Sequence, residues 1–226
     1  MDVSEHSGQS HWIPLSDLMT GLMMIFMLIS ALFMLRVEQT TTLVVREYEV
    51  TREDLLRALQ DSFAKDLKQW DAEFLGDMTL RFNNPGVLFA TGSASLRPEF
   101  QKVLSEFLPR YIKILTAEKF RRSIKEVRIE GHTSSFWGNS SNQEAYFKNM
   151  ELSQARTRST LEYILKLPEL AANADWLKAH VTANGLSSSR PIRKSDESID
   201  ESASQRVEFR IVTNAEERMD AIAKGI

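Results

Sequence analysis

The sequence contains no cysteine among its 226 residues, so disulfide bonds, thiolate metal clusters and cysteine nucleophiles are excluded. Its 28 Lys and Arg residues nearly balance its 31 Asp and Glu residues, for a net charge of −3. This balance argues against general nucleic-acid binding, which requires a strongly basic face. The four histidines lack metal-site spacing, so we predict no metal centre. No nucleophile–base pair is recognisable, and we predict that the chain is not an enzyme.

Charged residues are also scarce in a long apolar run near the N-terminus. Residues 13–35 hold a single charge, that of Asp17, in 23 positions. As a helix this run is about 34 Å long, enough to cross a hydrocarbon core of about 30 Å. No Lys or Arg precedes it, and it is long for the apolar region of a cleaved signal peptide. We therefore predict an uncleaved transmembrane helix.

Asp17 has two interpretations. An acid in the first turn of a helix complements the helix dipole, and this structural role alone would account for it. An intramembrane carboxylate is also a candidate for an ion pathway. Helical spacing puts Thr20, Gly21 and Met24 on the face of Asp17. Such a face, with small and polar groups, suits contact with another protein better than contact with lipid.

Residues 36–77 are predicted to form a helical stalk. An apolar stripe with helical spacing runs through its second half, at Leu56, Leu59, Phe63, Leu67, Trp70 and Phe74. The stripe either packs on the domain that follows or forms a helical contact between two chains. About two heptads are too few to decide between these alternatives.

Strand and helix patterns alternate in the rest of the chain. We predict strands at 78–82, 86–94, 124–131, 180–185 and 205–212. We predict helices at 98–117 and 151–167, and a Ser- and Asp-rich loop at 187–204. The fold class expected from this order is α+β, with helices on one face of a mixed sheet.

Five motifs in this region resemble, in chain order, the OmpA/MotB C-terminal domain. They are LFATGSASLRPE, VRIEGHTSS, N-x-x-L-S-x-x-R beginning at Asn149, NGLSSSRPI and QRVEFRI. The resemblance covers about residues 78–213 and implies a periplasmic domain that binds peptidoglycan.

The resemblance also implies a binding site for the diaminopimelate of the peptide stem. In that family an Asp directly after G-H-T meets the amine, and the arginine of L-S-x-x-R meets a carboxylate. Arg156 matches the arginine, whose guanidinium suits a carboxylate. Asn149 and Leu152 match the loop that enters the helix, whose N-terminus favours an anion. Ser134 stands at the position of the Asp and offers no charge to an amine. Without the resemblance, Arg156 would be interpreted as a surface arginine on an amphipathic helix.

Three further residues of these motifs receive a structural interpretation. We expect Gly131 and Gly185 to be backbone requirements of the fold. We expect His132 to be a core histidine rather than a catalytic base.

One membrane helix with an acid near its start, a stalk and a peptidoglycan-binding domain together resemble the B subunit of ion-driven stator units, of which MotB is the flagellar member. The run SDLMTGLMMIFMLISALFM resembles most closely the ZorB subunits of Zorya anti-phage systems. The resemblance implies a homodimer inside a pentamer of MotA-like subunits (ZorA in Zorya systems). Asp17 would carry the ion, a proton or sodium with the proton favoured, and Thr20 and Ser16 would assist. No cofactor is expected. The alternatives are a flagellar-type MotB subunit and a passive membrane-to-wall tether.

These features divide the chain into five predicted segments. They are a cytoplasmic tail at 1–12, the transmembrane helix at 13–35, a periplasmic stalk at 36–77, the peptidoglycan-binding domain at 78–213 and a C-terminal tail at 214–226. Basic residues follow the apolar run and none precedes it, which by itself would keep the C-terminal part in the cytoplasm. The resemblance implies the opposite orientation in the bacterial inner membrane, and we adopt it because wall-binding motifs have no ligand in the cytoplasm.

Overall fold

The computed structural model describes residues 12–83 and 85–214, so the predictions for residues 1–11 and 215–226 lie outside the described residues. The described chain forms two units, one up to Glu49 and one from Val50 onward. The described residues of the first unit are all helical and belong to helix α1, which spans Trp12–Phe63. It contains a segment, Ser16–Gln39, that is long and apolar enough to cross a membrane.

The second unit combines the end of α1 with a mixed sheet and further helices. Its elements in chain order are β1 Ala72–Phe74, β2 Thr79–Phe82, α2 Pro85–Leu88, α3 Pro98–Leu115, α4 Glu118–Arg121, β3 Ile124–His132, α5 Asn142–Lys166, a 3₁₀ helix Pro168–Asn173, α6 Ala174–His180, β4 Val181–Gly185, α7 Glu201–Ser204 and β5 Arg206–Thr213. The strand order is β1-β2-β5-β3-β4. Only the β3–β4 pair of this described sheet is parallel. The predicted α+β fold class is confirmed.

The sheet has an apolar face and a charged face because side chains alternate along each strand. Leu80 and Ile129 both pair in register with Phe209, and all three side chains are buried. Phe107 and Tyr111 of α3 pack their rings against Phe209, with centroids 5.4 and 6.3 Å away. Helix α3 therefore covers the apolar face, and the intervening strand residues put charges on the other.

The end of helix α1 is part of this core. Leu55, Leu59 and Phe63 are at most 1% exposed. The Phe63 ring lies 5.3 Å from that of Phe107 and 5.9 Å from that of Trp70, by centroids. The apolar stripe thus packs on its own domain, which decides between the two alternatives for the stalk. The predicted stalk boundary at residue 77 is wrong, because the compact unit already begins at Val50.

The residues of the stripe do not all lie in one helix. The helix ends at Phe63, turns follow, and Phe74 lies in the edge strand β1. The prediction of one helix through these positions is wrong because apolar residues spaced three or four apart can also belong to a turn and a strand that face one core.

Two other predicted boundaries differ from the structure. Residues 86–94 form helix α2, a bridge between Phe89 and Leu96 and a turn, rather than a strand. Gly92 lies in that turn with φ +67°, which interrupts an extended backbone. Helix α5 begins at Asn142, nine residues before its predicted start, because Ser141 and Glu144 form a capping box. The predicted loop at 187–204 contains the short helix α7, while the other predicted helix and strands are confirmed within a few residues.

Candidate functional site

The apolar segment of α1 carries the first candidate site. From Ser16 to Gln39 every residue is exposed except Gly21, which is half-buried, so the described part of this unit covers none of the side chains. Apolar side chains in such a row require lipid or another polypeptide around them.

Asp17 belongs to a polar patch on this segment. The helix is unbroken, so Asp17, Thr20, Gly21 and Met24 share one face, as their spacing predicted. The Thr20 hydroxyl donates a hydrogen bond of 2.8 Å to the Ser16 carbonyl. This bond uses the hydroxyl proton and leaves the lone pairs of the oxygen as acceptors beside the carboxylate.

The second candidate site is a pocket of about 270 Å³ in the α+β unit, which we call the arginine pocket. Four separate stretches of chain form it: the turn after α2, the loop after β3, one face of α5 and the residue before β5. The lining residues are Thr91, Gly92, Thr133, Ser134, Phe136, Trp137, Gly138, Asn149, Leu152, Arg156 and Gln205. The structure therefore brings together all four residues for which the sequence predicted wall binding.

Helix α5 supplies three of these residues from one face. Asn149, Leu152 and Arg156 are spaced three and four apart, and this spacing aligns them along the helix. Because α5 begins at Asn142, Asn149 lies two turns inside the helix. The prediction that Asn149 and Leu152 enter the helix and offer its free N–H groups to an anion is therefore wrong, since those groups are bonded within the helix.

Arg156 is the cation of the arginine pocket. Its side chain is largely buried, with 8% of the residue exposed. Its Nε donates to the Ser93 carbonyl over 2.9 Å, its Nη2 donates to the Ala90 carbonyl over 3.2 Å, and its guanidinium lies 4.9 Å from the centre of the Phe89 ring. Burial lowers the pKa of Arg156, although a guanidinium stays charged in proteins. These bonds orient the group and leave Nη1 without a described protein partner.

The loop after β3 is held in place from two sides. Asn149 Nδ2 donates to the Phe136 carbonyl over 3.1 Å. The Glu201 carboxylate accepts from the Ser135 backbone N–H over 2.8 Å and from its hydroxyl. Sequence reasoning missed Glu201 and Phe136, and no local pattern would have identified them, since their partners are 66 and 13 residues away.

Two glycines allow α5 to approach the sheet. A Cβ on Gly185 would lie 2.3 Å from the backbone N of Gln154, and a Cβ on Gly131 would lie 2.7 Å from Cγ2 of Thr157. Neither distance is sterically possible, so the backbone of α5 would have to move at Gly185, and the Thr157 side chain or the helix would have to move at Gly131. The structural interpretation of both glycines is confirmed.

A buried ion network occupies the charged face of the sheet. Glu208 Oε1 accepts from Arg81 Nε over 2.8 Å and from Arg206 Nε over 2.7 Å. His132 Nε2 lies 3.4 Å from Glu208 Oε2. Burial opposes the charged form of Glu208, but the contacts with His132 and Arg206 outweigh it and hold its pKa below the usual range. Burial lowers the pKa of His132 and outweighs the opposite effect of Glu208.

Three residues of this network, Glu130, His132 and Glu208, have ligand atoms within 4.8 Å of one another, close enough to hold a metal ion. Both carboxylates already face guanidinium groups, however, since Arg190 Nη1 lies 3.3 Å from Glu130 Oε2. A divalent cation would add charge beside these arginines. The geometry favours an internal ion network, in which His132, 3% exposed, is a structural residue.

Comparison with known proteins identifies relatives. No family model matches the chain. The chain is 44% identical over 211 residues to the Zorya protein ZorB of Escherichia coli strain ATCC 8739, and the match covers 91% of this chain and 89% of that protein. It is similar to the cell wall anchor of the type VI secretion system of Pseudomonas aeruginosa, at 23% identity and a TM-score of 0.46, over 69% of this chain and 96% of that chain. A putative MotB-like protein from Desulfovibrio vulgaris shares 23% identity at a TM-score of 0.47, over 71% of this chain and 94% of that chain.

An N-terminal helix of membrane-spanning length followed by a mixed-sheet α+β unit defines the class of proteins that join one apolar helix to an α+β domain. Identity of 44% extends through both parts of the chain and identifies the family within that class. The chain belongs to the ZorB family, as the resemblance of its membrane segment predicted.

Proposed function

We propose that the chain is the peptidoglycan-anchored B subunit of a proton-driven membrane motor that acts in Zorya anti-phage defence. One observation carries the proposal. Asp17 is the only charged residue between Ser16 and Leu35, in a segment whose side chains are left exposed by the rest of the described unit. A carboxylate so placed needs a protein partner or a cation in the membrane. Membership of the ZorB family supports the proposal.

Asp17 performs the ion step by binding and releasing a proton as subunits of the partner move past it. One charge that crosses a potential of 150 mV releases about 3.5 kcal/mol, enough to bias a rotation step. The lone pairs of the Thr20 oxygen accept a hydrogen bond from the protonated carboxyl group. The same oxygen, with the Ser16 hydroxyl, would be a ligand if sodium were the ion.

The partner is a pentameric ring of MotA-like subunits around a dimer of this chain. The exposed apolar side chains of Ser16–Gln39 provide the contact surface, and Gly21 permits close approach of a neighbouring helix. The N-terminus lies in the cytoplasm and the α+β unit lies in the periplasm, where the wall is within reach.

The arginine pocket grips the wall by a carboxylate of the peptide stem. Arg156 is pre-oriented by its bonds to Ser93 and Ala90, so little side-chain entropy is lost when a carboxylate binds. Asn149 and Leu152 complete the same wall of the pocket. The chain performs no covalent chemistry in this role and uses no cofactor.

Exchange of Asp17 for asparagine tests the motor. The Asp17→Asn chain, expressed with the other genes of its system, is expected to reach the membrane but to lose protection against phage. Glu38→Gln is the matched control, because it removes the same charge from the other end of the same segment and should retain protection. If Asp17→Asn protected as well as the parent, the chain would be a passive membrane-to-wall tether. Proton uptake in sodium-free proteoliposomes that contain the partner subunit would identify the ion.

Exchange of Arg156 tests the wall anchor. Arg156→Lys keeps the charge but loses the planar donor group, and we expect co-sedimentation with purified sacculi to fall about tenfold or more. Arg158→Lys is the control on the same helix, because Arg158 is exposed and pairs with Glu162. Equal binding by both variants would remove Arg156 from the site.

A further inference from the structure

The arginine pocket contains one cation and no acid. Its eleven lining residues, all within the described chain, include two aromatic rings and five neutral side chains that are capable of hydrogen bonding. The neutral hydrogen-bonding residues are Thr91, Thr133, Ser134, Asn149 and Gln205. Such a lining suits a carboxylate with uncharged amide or hydroxyl groups beside it, because each of these groups finds a partner and no second charge is needed.

Two acids of neighbouring elements make their contacts outside the lining of the pocket. Glu201 approaches the loop after β3, but its carboxylate accepts from the N–H and hydroxyl of Ser135. Glu208 is buried on the sheet and bonded to Arg206 and Arg81. No described carboxylate lines the arginine pocket to receive a cationic group of a ligand there.

A free amine and an acylated amine would behave differently in this environment. A free amine is cationic at neutral pH and would enter a pocket whose one charged lining residue is the cation Arg156. An acylated amine is neutral, and its N–H and C=O can bond to the hydroxyl and amide groups of the lining. Acylation thus removes an electrostatic penalty and adds hydrogen bonds.

The aromatic residues provide room for the acyl group. Phe136 is 68% exposed, and Trp137 lines the same pocket. The backbone at Phe136 is held by Asn149 Nδ2, so its ring is presented from an ordered loop. An exposed phenyl ring beside the pocket can bury the apolar part of an acyl chain or a neighbouring residue.

We propose that the arginine pocket selects peptide stems whose side-chain amine is acylated, as it is in a peptide cross-link, over stems whose amine is free. This inference rests on the proposed wall-binding function and specifies its ligand. Ser134 is the specificity-determining residue, since a serine there leaves the amine position without a negative charge. The motor would consequently be held at cross-linked parts of the wall.

Two synthetic stem peptides test this selectivity. Both contain diaminopimelate with a free carboxylate; in one the side-chain amine is free, and in the other it is acetylated. Equilibrium binding is measured with the full-length chain in detergent. We expect the acetylated peptide to bind about threefold to tenfold more tightly. Ser134→Asp should reverse the preference, because the new carboxylate pairs with the free amine.

Two further variants complete the design. Asn139→Asp adds the same charge to the same loop outside the pocket lining and should keep the parental preference. Gln205→Glu adds a negative charge to the pocket lining from another stretch of chain, and this variant should prefer the peptide with the free amine. It therefore provides the same test if the Ser134→Asp chain does not fold.

The outcomes separate this inference from the wall-binding function. If the parent chain bound the free amine as tightly as or more tightly than the acetylated peptide, selectivity for acylated stems would be refuted while wall binding stood. If the chain bound neither peptide and sacculus binding did not depend on Arg156, the wall-binding function and the inference would fall together. The inference is supported if the parent chain prefers the acetylated peptide, if Ser134→Asp reverses this preference and if Asn139→Asp keeps it.

Discussion

Leu59 lies where helix α1 enters the core of the second unit, and its replacement by alanine tests whether this helix end stabilises the domain. The side chain is 0% exposed and belongs to the cluster that includes Phe63 and Phe107. Truncation of a fully buried leucine to alanine costs about 2–5 kcal/mol, the sum of lost transfer free energy and the cavity left behind. We expect about 3 kcal/mol for Leu59→Ala.

This loss should be measurable as a shift of the melting temperature. For a domain of this size, 1 kcal/mol corresponds to about 2–4 °C, so the expected decrease is about 6–12 °C. Tryptophan fluorescence of the full-length chain in detergent provides the signal, because Trp70 is buried beside Phe63. Leu165→Ala is the matched control, since Leu165 is 39% exposed on α5 and should cost much less.

The dependence on protein concentration distinguishes core packing from a contact between two chains. If α1 packs on its own domain, the decrease for Leu59→Ala is the same at low and high concentration. A decrease that disappeared at high concentration would mean that Leu59 stabilises a dimer seam. A variant as stable as the parent would refute the assignment of this helix end to the core.

Three further predictions concern the same unit. Gly185→Ala should destabilise it by about 2 kcal/mol or more in urea unfolding, because the new Cβ would meet the backbone N of Gln154 at 2.3 Å. Tyr111→Phe should leave the free energy of unfolding unchanged or raise it by up to about 1 kcal/mol, because the buried hydroxyl has no hydrogen-bond partner among the described residues. Burial lowers the pKa of His132, so the unfolded chain binds a proton more readily and this group costs stability as pH falls below about 6.5. His132→Gln should therefore reduce the difference between melting temperatures at about pH 7.5 and about pH 5.5.

Each of these results can go against the structure. Unchanged unfolding of Gly185→Ala would mean that β4 and α5 do not touch. A large loss in Tyr111→Phe would require a partner for the hydroxyl, and a larger pH difference in His132→Gln would mean that the imidazole is charged in the folded chain.

The residues predicted to bind the wall show how much local sequence patterns can predict. The spacing of Asn149, Leu152 and Arg156 predicts one helix face, and the structure has them on one face of the arginine pocket. The predicted start of that helix is wrong, because the first half of the helix is polar and has no strong apolar period, and its capping residues Ser141 and Glu144 lie at the start of that half. Because Asn149 and Leu152 lie inside the helix, the prediction that a helix N-terminus binds an anion at these residues is wrong as well.

The sequence by itself determined the features that depend on neighbours along the chain. An apolar run of membrane-spanning length, the acid within it and the alternation of strands in β2, β3 and β5 follow from side-chain periodicity alone. Only the tertiary structure decided what the apolar stripe of α1 packs against, that Glu201 is committed to Ser135 and that the arginine pocket holds no acid. These features depend on contacts between residues far apart in sequence, and a periodic pattern specifies that a face is buried but not which distant residues bury it.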